Sequence, residues 1–298
     1  MIGSSTFLKN RNSFSGKRSF FKGELYKLTP LLIPGLMLAA GILYTLQLSL
    51  QPADLSAYQA ALAQPGLVRN IFFSLYVAAI STVVSIAAGT ALAYLVWRLP
   101  SAYGRWGQAF LVPLVLPHIA VGFLVLLWFS QTGILASMFE RLSGVFPLAS
   151  SFQSPLFKGN GAGIILGYVY KSTPFALLLI MPVLRRIPKN YLQTGLMLGA
   201  SEFRCFYKII LPRLVPGISA AAIIIFVYSF GAYDLPFIVG ESRPRMISLY
   251  LYRLYFTRPI AERPTAAALL LLVFLCGIAM VMLYARAVRP AEERERKL

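Results

Sequence analysis

Residue types that commonly perform catalysis or bind metals are scarce in this sequence. His118 is its only histidine, and its two cysteines, Cys205 and Cys276, stand far apart. One histidine cannot supply a multi-histidine metal site, and two distant cysteines give neither a zinc-binding spacing nor a disulfide framework. No serine–histidine pair or pair of carboxylates stands inside an apolar stretch, which argues against an intramembrane enzyme.

A nucleotide-binding loop is not expected either. The nearest candidate is the run SGKR at residues 15–18. A phosphate-binding loop requires a glycine five positions before the glycine of this run and a serine or threonine after the lysine. Those positions hold Arg11 and Arg18. If ATP drives the activity of this chain, the ATPase is therefore another polypeptide.

Two charged residues and the single histidine stand inside long apolar runs: Lys171, Asp234 and His118. Ionisable groups in such runs are costly and are functional candidates by default. A functional interpretation has Asp234, with Tyr228 and Tyr233, lining a pathway for a cationic solute. A structural interpretation pairs Asp234 with Lys171 or lets it reach water. For His118 we expect a packed, hydrogen-bonded side chain rather than a proton relay.

The elements that would position these residues are membrane spans. The chain has 298 residues, of which 58% are hydrophobic and 13% charged, against about 25% charged in ordinary soluble domains. Its apolar residues form six blocks, each long enough to cross about 30 Å of hydrocarbon as a helix. We predict an all-α membrane protein whose first span is retained as an anchor. The predicted spans are residues 28–50, 70–97, 109–130, 161–184, 217–239 and 266–285.

The net charge of +18 follows these spans and does not mark a nucleic-acid surface. Most of it lies in segments that alternate with the spans and would share one side. Because lysine and arginine in short loops mark the cytoplasmic side, we expect cytoplasmic tails at residues 1–27 and 286–298 around a six-span domain at 28–285. The loop after the fifth span is an exception to this rule. It would lie outside and carries Arg243, Arg245, Arg253, Arg258 and Arg263.

The polar loop between the fourth and fifth spans, residues 186–216, has the pattern of a helix–turn–helix. Gly199 suits the C-terminal cap of a first helix, because positive φ costs glycine little. Ser201 suits the N-cap of a second helix with Glu202 at its positive end, and Pro212 would end it. One apolar stripe follows at helical spacing, formed by Phe203, Phe206, Tyr207 and Ile210. An amphipathic loop on the membrane surface and a helix docked in a partner's groove both fit.

This loop resembles the EAA loop of ABC-importer permeases. The pattern of that family is Glu-Ala-Ala, three residues, Gly, nine residues, Ile, one residue and Leu-Pro. Here Gln193, Thr194 and Gly195 stand at the triplet, Gly199 is the glycine, and IILP at residues 209–212 completes the spacing. Because the triplet lacks its glutamate, the ion pair that this glutamate usually makes is not expected. The six spans are similar to those of type I importer permeases.

The resemblance implies a permease subunit of a bacterial inner membrane, with a coupling loop at residues 186–216 between its fourth and fifth spans. It implies contact with an ATPase dimer that binds ATP and Mg²⁺, a second permease subunit (a paralogue or a second copy), a periplasmic or lipid-tethered substrate-binding protein and membrane lipid. No cofactor is expected in this chain. The residues expected to couple to the ATPase are Gln193, Thr194, Gly195, Gly199, Ala200, Ser201, Glu202, Phe203, Arg204, Phe206, Lys208 and Pro212.

Residues 170–190 and 230–240 resemble the spermidine/putrescine-type branch of these permeases. The same branch includes carriers of iron, thiamine and phosphonates, so the cargo is expected to be a polyamine or another small solute. The alternative function is an ion-coupled secondary transporter. Such proteins usually carry acidic residues or histidines in several spans and often show inverted repeats, and neither feature is evident here.

Overall fold

The computed structural model describes residues 13–51, 54–99, 109–143, 152–240 and 243–296. All regular structure in these ranges is helical, which confirms the predicted all-α class. Short 3₁₀ turns cover Ala109–Leu111 and Ile260–Glu262, and a π-helical stretch covers Phe206–Ile210. In chain order the α-helices are α1 Ser13–Ser49, α2 Ser56–Leu62, α3 Leu67–Arg98, α4 Val112–Val115, α5 His118–Phe129, α6 Ile134–Ser143, α7 Ala162–Arg185, α8 Asn190–Met197, α9 Glu202–Cys205, α10 Leu211–Arg213, α11 Val215–Gly231, α12 Asp234–Val239, α13 Ile247–Phe256 and α14 Arg263–Arg296.

Within the described residues, five stretches are long and apolar enough to cross a membrane, and a bent helix pair brings the number to six if its two parts cross as one span. The bent pair joins Glu202–Arg213 to Val215–Gly231 at an angle of 68°. The six apolar blocks read from the sequence each overlap one of these stretches, although the third and fifth differ in detail. The five stretches are Leu32–Ser49, Leu67–Arg98, His118–Leu142, Ala162–Arg185 and Ile260–Val288.

The third predicted span is broken at Leu116. Helix α4 ends at Val115, Leu116 is extended with ψ 133°, and α5 begins at His118. The residue before a proline is disfavoured in helical geometry, so Pro117 accounts for the break. Pro113 does not break this span, because it lies in the first turn of α4, where a missing N–H costs nothing.

The fifth predicted span is also discontinuous. Helix α11 ends at Gly231, and α12 begins at Asp234. Helix α12 then follows the first turns of α7, since a Cβ built on Gly167 would touch Leu235 and one built on Gly163 would lie 3.4 Å from the Val239 carbonyl oxygen. The apolar pattern had placed Asp234 inside a continuous helix. In the structure it stands at a break between two helices.

Two further segments differ from simple expectation. Helix α1 begins at Ser13, inside the stretch expected to be the first tail, and the last helix runs to Arg296, inside the second. Residues 247–256, in the arginine-bearing loop after the fifth span, form α13. Tertiary packing against α14 and α3 favours the helix there.

The second and fourth spans, α3 and α7, form the centre of the structure through a close approach at Gly89. A Cβ built on Gly89 would lie 2.6 Å from the Ala176 Cβ and 2.9 Å from the Thr173 carbonyl oxygen. Small residues at such crossings let helix backbones pack closely, which is the main source of helix association in lipid. Helix α11 packs against both α3 and α7, and these three helices carry the 186–216 segment at one end.

Replacing Gly89 by leucine should separate α3 from α7, because the new side chain meets backbone atoms that cannot move independently. We expect a loss of about 1–3 kcal/mol in unfolding free energy. Thermal unfolding in detergent, followed by tryptophan fluorescence, measures it. Gly41→Leu is the matched control, since no atom lies within 4 Å of a Cβ there. Equal midpoints for the two variants would contradict the close approach.

Candidate functional site

The turn inside the 186–216 segment has the geometry expected of Gly199. Its φ is 81°, its N–H donates to the Leu196 carbonyl at 3.0 Å, and the Ala200 N–H donates to the Gly195 carbonyl at 3.0 Å. These two bonds satisfy carbonyls left free at the end of α8. No atom lies within 4 Å of a Cβ built at Gly199. The need for glycine therefore comes from the positive φ and not from crowding.

The second helix of the segment begins as predicted. Ser201 has an extended backbone with ψ 154°, and its side chain accepts a hydrogen bond from the Arg204 N–H at 3.3 Å. Glu202 follows in the first helical turn, where a carboxylate is favoured by the helix dipole. The cap fixes the start of this helix directly after the turn at Gly199.

The expected stop at Pro212 is wrong. Helix α9 passes into the π-helical stretch, in which the Leu211 N–H donates to the Phe206 carbonyl five residues earlier. Pro212 then lies in the first turn of α10, where its missing N–H leaves no bond unmade. The chain stays helical to Arg213 and bends only beside Leu214, before α11. The helix and the fifth span thus form one bent element.

The apolar stripe divides into an exposed edge and a buried edge. Phe203 and Tyr207 are 76% and 61% exposed and stack on each other with ring centroids 6.4 Å apart. Phe206 turns inward, 4.7 Å from the ring of Tyr94, and Ile210 is 1% exposed. The sequence predicted one apolar stripe and did not predict this division into two edges. The helical spacing of these residues could not show that the end of α3 covers one edge of the stripe.

The two helices of the segment pack on each other through Gly195. A Cβ built there would lie 2.6 Å from the Cys205 Sγ and 3.5 Å from the Ile209 Cδ1. Cys205 is buried in an apolar cluster that also contains Leu192 and Leu214 and continues into the ends of α3 and α7. The glycine in the triplet, which departs from the alanine of the family pattern, makes room for this thiol.

Glu202 makes a contact that no sequence pattern indicated. Its Oε2 lies 2.7 Å from the Arg98 Nη2, and its Oε1 accepts a hydrogen bond from the Tyr94 hydroxyl at 2.9 Å. The Arg98 and Glu202 side chains are 38% and 44% exposed, and ion pairs at such sites contribute about 0.2–1 kcal/mol. The contact therefore fixes position more than it adds stability. Arg98 and Glu202 are 104 residues apart in the chain.

The other residues expected to couple to the ATPase lie around the turn. Gln193 and Thr194 are exposed on α8, and Ala200 is half-buried beside Gly199. Arg204 and Lys208 are exposed on the second helix. The segment thus presents a surface that combines two aromatic rings with positive charge.

Inside the membrane region, Lys171 does not pair with Asp234. Its Nζ donates a hydrogen bond to the carbonyl oxygen of Leu116, at the break of the third span. A break leaves carbonyl groups outside the helical ladder, and in lipid such groups need a partner within the protein. Lys171 supplies that partner. Asp234 is exposed at the start of α12, so the ion pair considered for these two residues is not formed.

The residues expected along a pathway fall into two groups. The Tyr228 ring lies 4.8 Å from the His118 ring and 6.2 Å, edge-on, from the Tyr168 ring. Tyr168 is 1% exposed, and its hydroxyl has no hydrogen-bond partner among the described residues. Tyr233 instead packs on Tyr252, with centroids 4.5 Å apart. Tyr168 was missed, because one tyrosine in an apolar helix gives no distinctive signal.

A groove of about 1220 Å³ runs along α3, α11 and α14. Its wall is almost entirely apolar, with Thr82 and Thr90 among the few polar side chains. At one end it is lined by Tyr94, Glu202 and Phe206. The contact between Glu202 and α3 therefore stands at the mouth of this groove.

The variant Gly195→Ala should destabilise the segment by about 1–3 kcal/mol, because its new methyl group overlaps the Cys205 thiol. Adding Cys205→Ala should recover part of that loss, so the two changes are not additive. Thermal midpoints of the single and double variants in detergent test this. Leu198→Ala, at an exposed position, is the control and should change little. Additive losses would show that the two residues do not touch.

Comparison with known proteins places these features in a family. The chain is similar to the molybdate/tungstate transport system permease protein WtpB of Pyrococcus furiosus, with 26% identity over 231 residues that cover 76% of this chain and 83% of that protein. It is also similar to the putative ferric transport system permease protein FbpB 1 of Haemophilus influenzae, with 27% identity over 182 residues, 61% of this chain and 28% of that one.

Among solved structures, the fold matches a chain of a bacterial alginate ABC transporter in complex with an alginate pentasaccharide-bound periplasmic protein. The TM-score is 0.75 at 18% identity, covering 94% of this chain and 98% of that chain. The model of one family matches residues 85–293, from the middle of α3 to near the end of α14. The chain therefore belongs to the family of binding-protein-dependent transport system inner membrane components, and it is a multi-pass transport subunit and not itself an ATP-hydrolysing enzyme.

Proposed function

We propose that this chain forms the translocation pathway of an ATP-driven importer and receives energy through its 186–216 segment. The observation that carries the proposal is the exposed pair of Phe203 and Tyr207, stacked beside Arg204 and Lys208 on a helix whose opposite face is buried. Aromatic rings held in fixed positions and rimmed by charge are typical anchors for a groove in a partner protein. Phe206 serves the packing of the segment and not its docking.

The partner in this proposal is a dimer of ATPase subunits that binds ATP and Mg²⁺. A second permease subunit, either a paralogue or another copy of this chain, would present a matching segment to that dimer. A periplasmic or lipid-tethered binding protein would deliver the cargo to the opposite face. The alginate transporter was solved in complex with a periplasmic protein that holds an alginate pentasaccharide. With six crossings, both termini share the cytoplasmic side with the 186–216 segment.

Energy transfer would follow from the way the segment is built. The buried edge of the helix holds it against α3 and α7, and its far end continues through the bend at Leu214 into the fifth span. When the ATPase dimer closes, the helix moves as a rigid body and carries the attached spans with it. Rigid-body motion of packed helices about such a joint is a common way to change access to a pathway.

The proposed cargo is a small solute. Asp234 and Tyr228 near the break of the fifth span favour a cation, in line with the polyamine-type resemblance. The relatives are named for molybdate, tungstate and ferric transport. Because Lys171 donates to the Leu116 carbonyl, its role in this proposal is structural. The pathway residues of the proposal are Asp234, Tyr228 and Tyr233.

An uptake assay in proteoliposomes separates this function from an ion-coupled secondary transporter. We expect accumulation of labelled solute to require the ATPase, the binding protein and ATP, and to persist when an ionophore collapses the proton gradient. Labelled spermidine and labelled molybdate, each with its own binding protein, test the two cargo classes. Uptake that survives without ATP and stops with the ionophore would overturn the proposal.

The turn at Gly199 offers a specific test of coupling. Gly199→Val should leave the protein inserted but abolish ATP-driven uptake, because a β-branched residue is strongly disfavoured at a φ of 81°. Gly199→Asn is the matched control and should retain most uptake, since asparagine tolerates this conformation. Uptake rates normalised to inserted protein give the comparison. Normal uptake by the valine variant would refute the role of this turn.

Asp234→Asn tests the pathway. For a cationic cargo we expect uptake to fall about tenfold or more, the loss of one charge-assisted contact, while the amount of folded protein stays the same. Asp54→Asn, which removes a carboxylate beside α2, should have no effect on uptake. If Asp234→Asn instead lowers the yield of folded protein and leaves uptake per molecule unchanged, the residue is structural.

A further inference from the structure

The second span, α3, is an uninterrupted helix of 32 residues from Leu67 to Arg98. At 1.5 Å per residue it extends over about 48 Å, enough to reach both faces of a membrane. The third and fifth predicted spans are broken, and α7 contains Pro174 and Pro182. A continuous helix without an internal proline is the stiffer element for carrying a displacement from one face to the other.

One end of α3 is joined to the 186–216 segment by both oxygens of a single carboxylate. Tyr94 and Arg98, one helical turn apart, donate to Glu202 Oε1 and Oε2. The Tyr94 ring also packs on Phe206, 4.7 Å away. Because Glu202 lies in the first turn after the cap at Ser201, the start of the second helix of the segment cannot move away from α3 without breaking these bonds.

The other end of α3 is joined to the segment that leads into α13. The Asn70 Oδ1 accepts a hydrogen bond from the Arg245 N–H at 3.2 Å, and the Ser74 Oγ accepts one from the Ile247 N–H at 2.7 Å. Ser74 in turn donates to the Asn70 carbonyl at 2.8 Å. Asn70 and Ser74 are again one helical turn apart. Both bonds hold backbone groups, so they fix the position of the chain itself at residues 245–247.

We propose that α3 links the two faces of the protein mechanically, with Arg98, Tyr94 and Glu202 as its inner joint and Asn70 and Ser74 as its outer joint. The proposal rests on the proposed function, in which an ATPase binds the 186–216 segment and a binding protein meets the opposite face. Docking of the binding protein displaces residues 245–247, α3 carries the displacement, and the helix that begins at Glu202 moves against the ATPase. The joint residues are positioning residues and touch no cargo.

The inner joint is tested in the complete complex of permease, ATPase and binding protein in proteoliposomes. The measured quantity is the ratio of ATP hydrolysis with cargo-loaded binding protein to hydrolysis without it. We expect Glu202→Gln and Arg98→Gln each to lower this ratio about fivefold or more. The charge-swapped pair Arg98→Glu with Glu202→Arg should recover part of it. Arg185→Gln, which removes an equal charge in the last turn of the fourth span and outside the 186–216 segment, is the matched control.

The outer joint gives an independent arm of the same test. Asn70→Ala and Ser74→Ala should also lower the ratio while basal hydrolysis stays near that of the wild type. Thermal midpoints of the complexes separate positioning from stability. If single-joint variants keep the wild-type ratio, or if they lose folded complex while the remaining complex keeps that ratio, the mechanical link is overturned. A wild-type complex without ATP-dependent uptake would overturn the proposed function, and this link with it.

Discussion

The apolar cluster beneath the 186–216 segment is the contact on which the other features depend. Cys205, Ile210 and Leu214 of the segment are buried with Trp97 of α3 and Leu184 of α7. This burial supplies the attraction that a polar loop could not obtain from water or lipid alone. Because one edge of the helix is fixed in this way, the opposite edge can hold aromatic rings in water at defined positions. In the proposed coupling, a helix without a buried edge would follow the ATPase without moving the spans.

Discontinuous spans impose a second constraint, since backbone groups in lipid must find partners inside the protein. The chain meets this constraint at Leu116 with the ammonium group of Lys171. The break at the end of α11 is followed by the short helix α12, which packs back against Gly163 and Gly167 of α7. Both breaks therefore lie against α7, and the polar and aromatic side chains near them gather on that side of the fold.

Local rules predicted much of this structure. The apolar blocks gave the spans, and positive φ at Gly199 and the cap at Ser201 follow from residue type alone. Two of the failures share one cause, which is contact between residues far apart in sequence. The inward turn of Phe206 depends on Tyr94, and the engagement of Lys171 depends on a carbonyl in another span. The helix persists through Pro212 because a π-helical stretch precedes this proline. Residue types do not predict such a stretch.

The exposed edge of the 186–216 segment affects newly made copies of the chain that have not yet bound a partner. Phe203 and Tyr207 are 76% and 61% exposed on this segment. If an ATPase covers these rings, as proposed above, a copy without that partner exposes an apolar patch, which favours aggregation and recognition by chaperones and proteases. In the proposed complex, copies of this chain made in excess of the ATPase should therefore be removed faster than assembled copies.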